Sequence, residues 1–477
     1  MLDTDSYLKL DALAQAEGLR RGDFSAAELV QTAIERARQL NPGLNAIIAE
    51  RFQQAAAEAA AINTDRDFLA RSPLAGIPFL IKDLSALAGL PHGYGSKLFQ
   101  GHIADSDGAI VQRFAEAGLI LLGKTNTPEF GLTLSTEPAS QGASRNPWNP
   151  DYSTGGSSGG AAAAVAAGIV AAAHASDGGG SIRIPASCCG LFGLKPSRGL
   201  TPASMKLGEC WSGMSVGHVV SRSVRDSAAF LDLLAVQTAS LFPRPATPDS
   251  FLEASAEPAE TLRIAVQSSH PFGLAMHPDC QQAVMASARL CEELGHQVEE
   301  CQLPVDFKAA AGAMNQLICL HTWQAVHGRL KDLDQTLASA DMESSTRLMA
   351  ELGSKVSAED YIEALDTLQQ VAAALGRFHQ NYDVILSPVL NMPVARLGWL
   401  DMNSADLNEY GQRYRHYSGY TALYNGTGQP AMSVPLHRDS AGLPLGCQFA
   451  AAWGQDALLL RLARQLEQAR PWPLLAP

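Results

Sequence analysis

Apolar positions along the chain fall into helical and strand-like runs, each closed by residues that break it. Between residues 25 and 43, Leu29, Ala33, Ile34, Ala37 and Leu40 recur on one helical face. Ser25 and Glu28 precede them in the Ser-x-x-Glu order of a capping box, so a helix should open at Ser25, and Asn41-Pro42-Gly43 should end it. Residues 52–62 repeat the helical pattern. Residues 74–83, "LAGIPFLIKD", are a short continuous apolar run, which predicts a buried strand with Lys82 at or near its C-terminal end. Residues 109–117 read as a helix and 119–122 as a strand, followed by Lys124-Thr-Asn-Thr-Pro128. Residues 161–173 read as a helix without large side chains, suited to close packing, with the packed residue His174 at its end.

The second half continues the alternation. Residues 238–260 are rich in Pro, Ala and Ser and read as a surface connection. A strand is expected in "LRIAVQ" (262–267), an amphipathic helix over 278–294, further helices to about Tyr382, and a strand in "YDVILSPV" (382–389). Residues 425–435 and "GLPLGCQF" (442–449) read as a return to the sheet rather than a separate unit. Strands alternating with helices predict an α/β sheet covered by helices on both faces.

Composition narrows the function classes. The net charge of −13 argues against a nucleic-acid-binding face. The eight cysteines contain no Cys-x-x-Cys pair and no accompanying histidine spacing, so no metal site is expected and the thiols read as reduced. The first residues lack the basic and apolar regions of a secretion signal, and residues 161–173 are too short a run to span a bilayer. A cytoplasmic protein with no membrane partner is the expectation.

Two glycine-serine clusters remain, "GGSSGG" (155–160) and "DGGGSIRIP" (177–185). Linkers have this composition, but linkers seldom separate strongly apolar ordered elements. Phosphate cradles also use glycine, but neither G-x-x-x-x-G-K-[ST] nor a strand-linked G-x-G-x-x-G occurs. Nucleophilic catalysis needs a hydroxyl, a base and an oxyanion hole. Ser181 follows three glycines whose amides can converge on an anion. No histidine lies near either cluster in a convincing position. A desolvated lysine can replace it, and Lys82 is the candidate, with the serines of "GGSSGG" between it and Ser181. Taken alone, a lysine at a strand end is more often simply solvated.

The run "GGSSGGAAAAVAAG…SDGGGSIRIPASCCGLFGLKPSRG" (155–199), with "GIPFLIKD", "LLGKTNTPEF", "NGTGQPAMSVP" and "GLPLGCQF", resembles the amidase signature hydrolases across nearly the whole chain. The resemblance implies a large mixed central sheet covered by helices on both faces, as one unit over 1–477: N-terminal helices (about 1–65), a catalytic core (about 70–240) and a C-terminal part (about 260–477) completing sheet and pocket. It implies Ser181 as the acylated nucleophile, Ser157 as the bridging serine beside a cis peptide bond, and Lys82 as the general base. The amides of Gly178, Gly179, Gly180 and Ser181 would form the oxyanion hole, and Ser158, Asp177 and Arg183 would support the site. Many members carry Asp-Thr-Gly-Gly-Ser or Asp-Ile-Gly-Gly-Ser where this chain has Asp177-Gly178-Gly179-Gly180-Ser181, a change expected to make the loop more flexible. Leu132 and Cys319 fall where a substrate pocket wall is expected. No cofactor is implied. The substrate would be a small or linear amide, as for aryl acylamidases and cyclic nylon-oligomer hydrolases, and a homodimer is allowed. The alternative within the family is the glutaminase subunit of a tRNA-dependent amidotransferase.

Overall fold

A computed structural model of the chain describes residues 2–62, 66–202, 210–236 and 242–477. Three strands, β1 (Ile47–Glu50), β2 (Pro78–Lys82) and β3 (Ile120–Thr125), form a small sheet in the order β1-β3-β2. A short hairpin, β4 (Arg145–Asn146) and β5 (Asn149–Ser153), follows. The large sheet takes β6 (Ala172–Asp177), β7 (Phe192–Lys195) and β8 (Val216–Ser221) from the middle of the chain. Its other strands are β9 (Arg263–Val266), β10 (Gln297–Glu300), β11 (Val384–Pro388), β12 (Ala431–Arg438) and β13 (Pro444–Ala451). Its order is β10-β9-β11-β13-β12-β7-β8-β6, with β9 parallel to β10 and β11 and the remaining pairs antiparallel. The fold is therefore mixed α/β, as expected. β2 packs beside β6, so the edges of the two sheets face each other.

Most elements follow the apolar pattern. The helices Phe52–Ile62, Ala109–Glu116 and Pro278–Glu293 and the strands β2, β3, β9, β11 and β13 lie where the spacing puts them. The capping box of the helix Ala26–Leu44 is present, with Ser25 accepting from the Glu28 N–H and Glu28 reaching back to the Ser25 N–H.

Three segments differ. The helix Ala26–Leu44 runs through Pro42 instead of ending before it. Asn41 makes this possible: its side chain accepts from the Ala46 and Ile47 N–H groups and donates to the Ile47 carbonyl, satisfying the chain as it leaves the helix. The alanine-rich helix covers only Gly159–Ala166, and residues 172–177 are β6, so His174 sits within a strand. Gly168, at φ 70°, terminates the helix. The Gly168 N–H bonds to Val165 O and the Ile169 N–H to Ala164 O, the two bonds of a Schellman stop. Alanine fits helix and buried strand alike, so composition did not mark this boundary. Of the expected connection 238–260, residues 238–241 lie outside the described residues. Within the rest, Phe251–Ala256 is a helix capped by Ser250, with Phe251 buried.

Candidate active site

The carboxyl ends of β2 and β6 and the start of the fully buried helix Gly159–Ala166 meet at one point. Lys82, the last residue of β2, is wholly buried there. Its Nζ lies 2.7 Å from Ser157 Oγ, 2.9 Å from Ser158 Oγ and 3.1 Å from Ser176 Oγ. Among the described residues no carboxylate forms an ion pair with it, and burial pushes its pKa down to about 7 against the opposing pull of Asp177 and Cys210. The neighbouring Asp83 is not available to Lys82, because it pairs with the buried Lys124 at 2.7 Å.

The Gly156–Ser157 peptide is cis. Gly131, at φ 71°, lies against Ser157, and a Cβ there would approach Ser157 Oγ to 3.1 Å, so a side chain at 131 would disturb the bridging hydroxyl. Ser158 ties the two clusters together: its N–H donates to the Ser181 carbonyl at 3.3 Å and its hydroxyl to the Ser176 carbonyl at 3.3 Å. Ser181 is 8% exposed, against 0% for Lys82 and 2% for Ser157, and so lies nearest to solvent. The structure thus brings Lys82, Ser157 and Ser158 into direct contact and joins Ser181 to them through the main chain. Among the described residues, no hydrogen bond links the Ser181 hydroxyl to Ser157.

Asp177 and Arg183 brace the loop before Ser181. Both are fully buried, and Arg183 meets Asp177 through Nε at 2.9 Å and Nη2 at 2.8 Å. The same guanidinium reaches Thr421 O, Gln448 Oε1 and Asn425 Oδ1. Burial alone would raise the Asp177 pKa. The charge and hydrogen bonds of Arg183, with help from Lys195 and Asn425, hold it well below the usual carboxylate range.

The carboxylate of Asp177 also accepts from the Gly180 N–H at 2.7 Å and the Ile182 N–H at 3.1 Å. This corrects one member of the expected oxyanion set, because the Gly180 amide is committed to Asp177. The N–H groups of Gly178, Gly179 and Ser181 are the remaining members. Gly180 instead serves by shape: at φ 134°, its Cα faces Thr421, where a Cβ would come within 2.5 Å of Oγ1. Thr421 Oγ1 in turn donates to the Gly179 carbonyl at 2.6 Å. Gly178 does not loosen the loop as the sequence comparison suggested. A Cβ at 178 would lie 2.7 Å from the Trp211 ring, so the indole fills the space a side chain would take.

Leu132, directly after Gly131, is 8% exposed in an apolar cluster with Phe130, Leu134, Ile184 and Tyr417. Cys319 is buried on the helix Phe307–Asp332 with its carbonyl against Gly353, and burial pushes its thiol up to about 11. Its neighbour Ile318 is the residue that packs against the Leu132 cluster.

Sequence reasoning missed Ser176, Thr421, Trp211, Asn425 and Gln448. Asn425 lay inside the quoted "NGTGQP" run, but nothing in its spacing revealed a partner in Arg183. Two surface cavities, of about 280 and 300 Å³, lie apart from these residues, one lined by Arg198, Phe242 and Trp453 and the other by Trp148, Arg438 and Trp472. Chemistry rather than cavity size therefore marks the site. Among the described residues, no group of three or more His, Cys, Asp or Glu is placed to hold a metal ion, and no helix is long and apolar enough to cross a membrane.

Comparison with known proteins agrees with this geometry. The family model described as Amidase matches residues 28–460. A 6-aminohexanoate-cyclic-dimer hydrolase of Paenarthrobacter ureafaciens is 34% identical over 97% of this chain and 95% of its own length. The putative amidase AmiC of Mycobacterium leprae is 36% identical over 98% and 97%. A solved structure of 6-aminohexanoate cyclic dimer hydrolase superposes with a TM-score of 0.90 at 33% identity, covering 99% of this chain and 98% of the other. The chain belongs to the amidase signature family of hydrolases, enzymes that act on amides.

Proposed function

We propose that the protein hydrolyses small or linear carboxylic amides through an acyl-enzyme on Ser181, with Lys82 and Ser157 as the proton relay. The observation that carries this reading is the 2.7 Å approach of Lys82 Nζ to Ser157 Oγ in full burial. Neutral Lys82 takes a proton from Ser157 while Ser157 takes one from Ser181. Ser181 Oγ then attacks the amide carbonyl. The N–H groups of Gly178, Gly179 and Ser181 receive the tetrahedral oxyanion. The relay returns the proton to the departing nitrogen, without which an amine anion would have to leave. Water then attacks the acyl-Ser181 ester, and the same relay works in reverse to release the acid.

The relatives named for cyclic nylon-oligomer hydrolysis, and the apolar cluster around Leu132, favour aliphatic or aryl acyl groups. The eight cysteines are all unpaired, which supports a reducing cytoplasmic setting. The glutaminase-subunit reading uses the same residues and gains no observation of its own.

The test is a panel of anilides, short aliphatic amides and linear and cyclic 6-aminohexanoate oligomers, each with and without chelator. Amine release from at least one class, unaffected by chelator, with a matching acyl adduct on Ser181 by mass spectrometry, is the expected result. Turnover of glutamine alone, and only with added partner subunits, would overturn it.

A further inference from the structure

β6 holds Lys82 at two points, and only one of them belongs to the relay. Successive N–H groups of a strand turn to opposite sides. The Asp83 N–H turns toward β3 and donates to Thr125 O at 3.1 Å. The Lys82 N–H therefore turns the other way, toward β6. No ladder joins β2 to β6, so this buried N–H meets no strand carbonyl, and a buried amide without a partner is strongly disfavoured. It donates instead to Nδ1 of His174, at 3.3 Å.

His174 is fully buried, with Phe114 edge-on at 5.7 Å, and its Nε2 has no hydrogen-bond partner among the described residues. Burial first, then the charges of Lys82 and Lys124 and the nearby His218, push its pKa down to about 3, so the ring is neutral. With Nδ1 accepting, the ring proton belongs on Nε2. Two residues further along the same side of β6, Ser176 Oγ meets Lys82 Nζ at 3.1 Å. The strand that leads into the Ser181 loop thus grips the lysine at both its main chain and its tip.

We infer that His174 is a positioning residue for the Lys82 base, fixing the lysine main chain across the gap between the two sheets so that Nζ reaches Ser157. The inference rests on the Lys82 chemistry proposed above. The residue type suits the task. A carboxylate in this place would attract a proton to Lys82, a hydroxyl has a shorter reach, and an aliphatic side chain offers no acceptor. Neutral imidazole supplies an acceptor without a charge.

The test uses His174→Leu, which removes the acceptor, and His174→Asn, whose Oδ1 can stand near the position of Nδ1. Active sites are counted from the acyl-enzyme burst, so turnover is read per folded, competent site. His174→Leu is expected to lower kcat on the order of tenfold or more with KM for the same amide within about twofold, and His174→Asn to recover most of the loss. If His174→Leu does not fold, His174→Val carries the same expectation. A residue that merely filled space would lower thermal stability in both variants and leave per-site kcat unchanged. Wild-type kcat per site in the apolar variant, or equal loss in the Asn and Leu variants, overturns the inference. Absence of an acyl-enzyme in the wild-type protein would overturn the hydrolytic reading along with it, whereas a normal wild-type burst with an unimpaired His174→Leu overturns this inference alone.

Discussion

Lys82 and Arg183 are both fully buried basic residues flanking the same serine loop, and the protein treats them in opposite ways. Arg183 meets a carboxylate through two nitrogens and three further acceptors from the C-terminal part of the chain. Lys82 meets hydroxyls and a carbonyl. A guanidinium given a buried anion stays charged and acts as a brace. An ammonium denied one is pushed toward neutrality and becomes a base at ordinary pH. The nearest carboxylates, Asp83 and Asp177, are occupied by Lys124 and Arg183, so the protein keeps its lysine reactive by pairing the acids elsewhere.

The comparison breaks most completely if the unpaired centre is removed. Ser181→Ala and Lys82→Met should each lower turnover by about 10³-fold or more, measured by amine release, and Ser181→Ala should eliminate the acyl adduct. Lys82→Met also tests the cost of burial. Folding depresses the lysine pKa from 10.5 to about 7, so the unfolded chain binds more protons across that window and stability rises with pH through it. In Lys82→Met this contribution to the pH slope should disappear from chemical denaturation curves.

Breaking the paired centre should act on stability. Arg183→Met leaves Asp177 buried without its cation and should cost about 3–5 kcal/mol by denaturant unfolding. Asp177→Asn combined with Arg183→Met should lose less than the sum of the single changes.

Converting one centre into the other sharpens the contrast. The kcat/KM profile of the wild type should rise with pH through about 7 as Lys82 loses its proton. Ser176→Asp places a carboxylate beside Nζ, and an opposite charge at that range raises a lysine pKa by about 1–3 units. The rising limb should move to higher pH by that amount, with activity at neutral pH falling about tenfold or more. An unmoved limb would show that Lys82 is not the titrating base.

The smallest effect concerns the loop itself. Gly178→Ala drives a methyl group into the Trp211 ring and should cost about 1–3 kcal/mol of stability or slow turnover several-fold. Adding Trp211→Ala should reverse part of the loss. No reversal would mean that the indole does not fill the space at 178.

Local patterns were legible wherever a short-range rule governs. The capping box at Ser25, the strand ending at Lys82 and the spacing of the serine clusters depend on neighbours within a few residues. The stop at Gly168 was missed because alanine satisfies both helix and buried strand. The passage of a helix through Pro42 was missed because its compensation lies in a side-chain contact, Asn41 to Ala46 and Ile47. The assignment of the Gly180 amide to the oxyanion hole failed for a similar reason, since proximity in sequence to Ser181 does not say which acceptor an N–H faces.

By itself the sequence determined the element types, the reactive residue set and the family, because these follow from local periodicity and from motifs that chemistry constrains. Tertiary structure alone decided which groups are charged. The long-range placement of Arg183 against Asp177, Asn425 and Gln448, and of Lys82 between His174, Ser176 and the serines, sets the local field and the solvent each group loses, and no short-range pattern encodes either quantity.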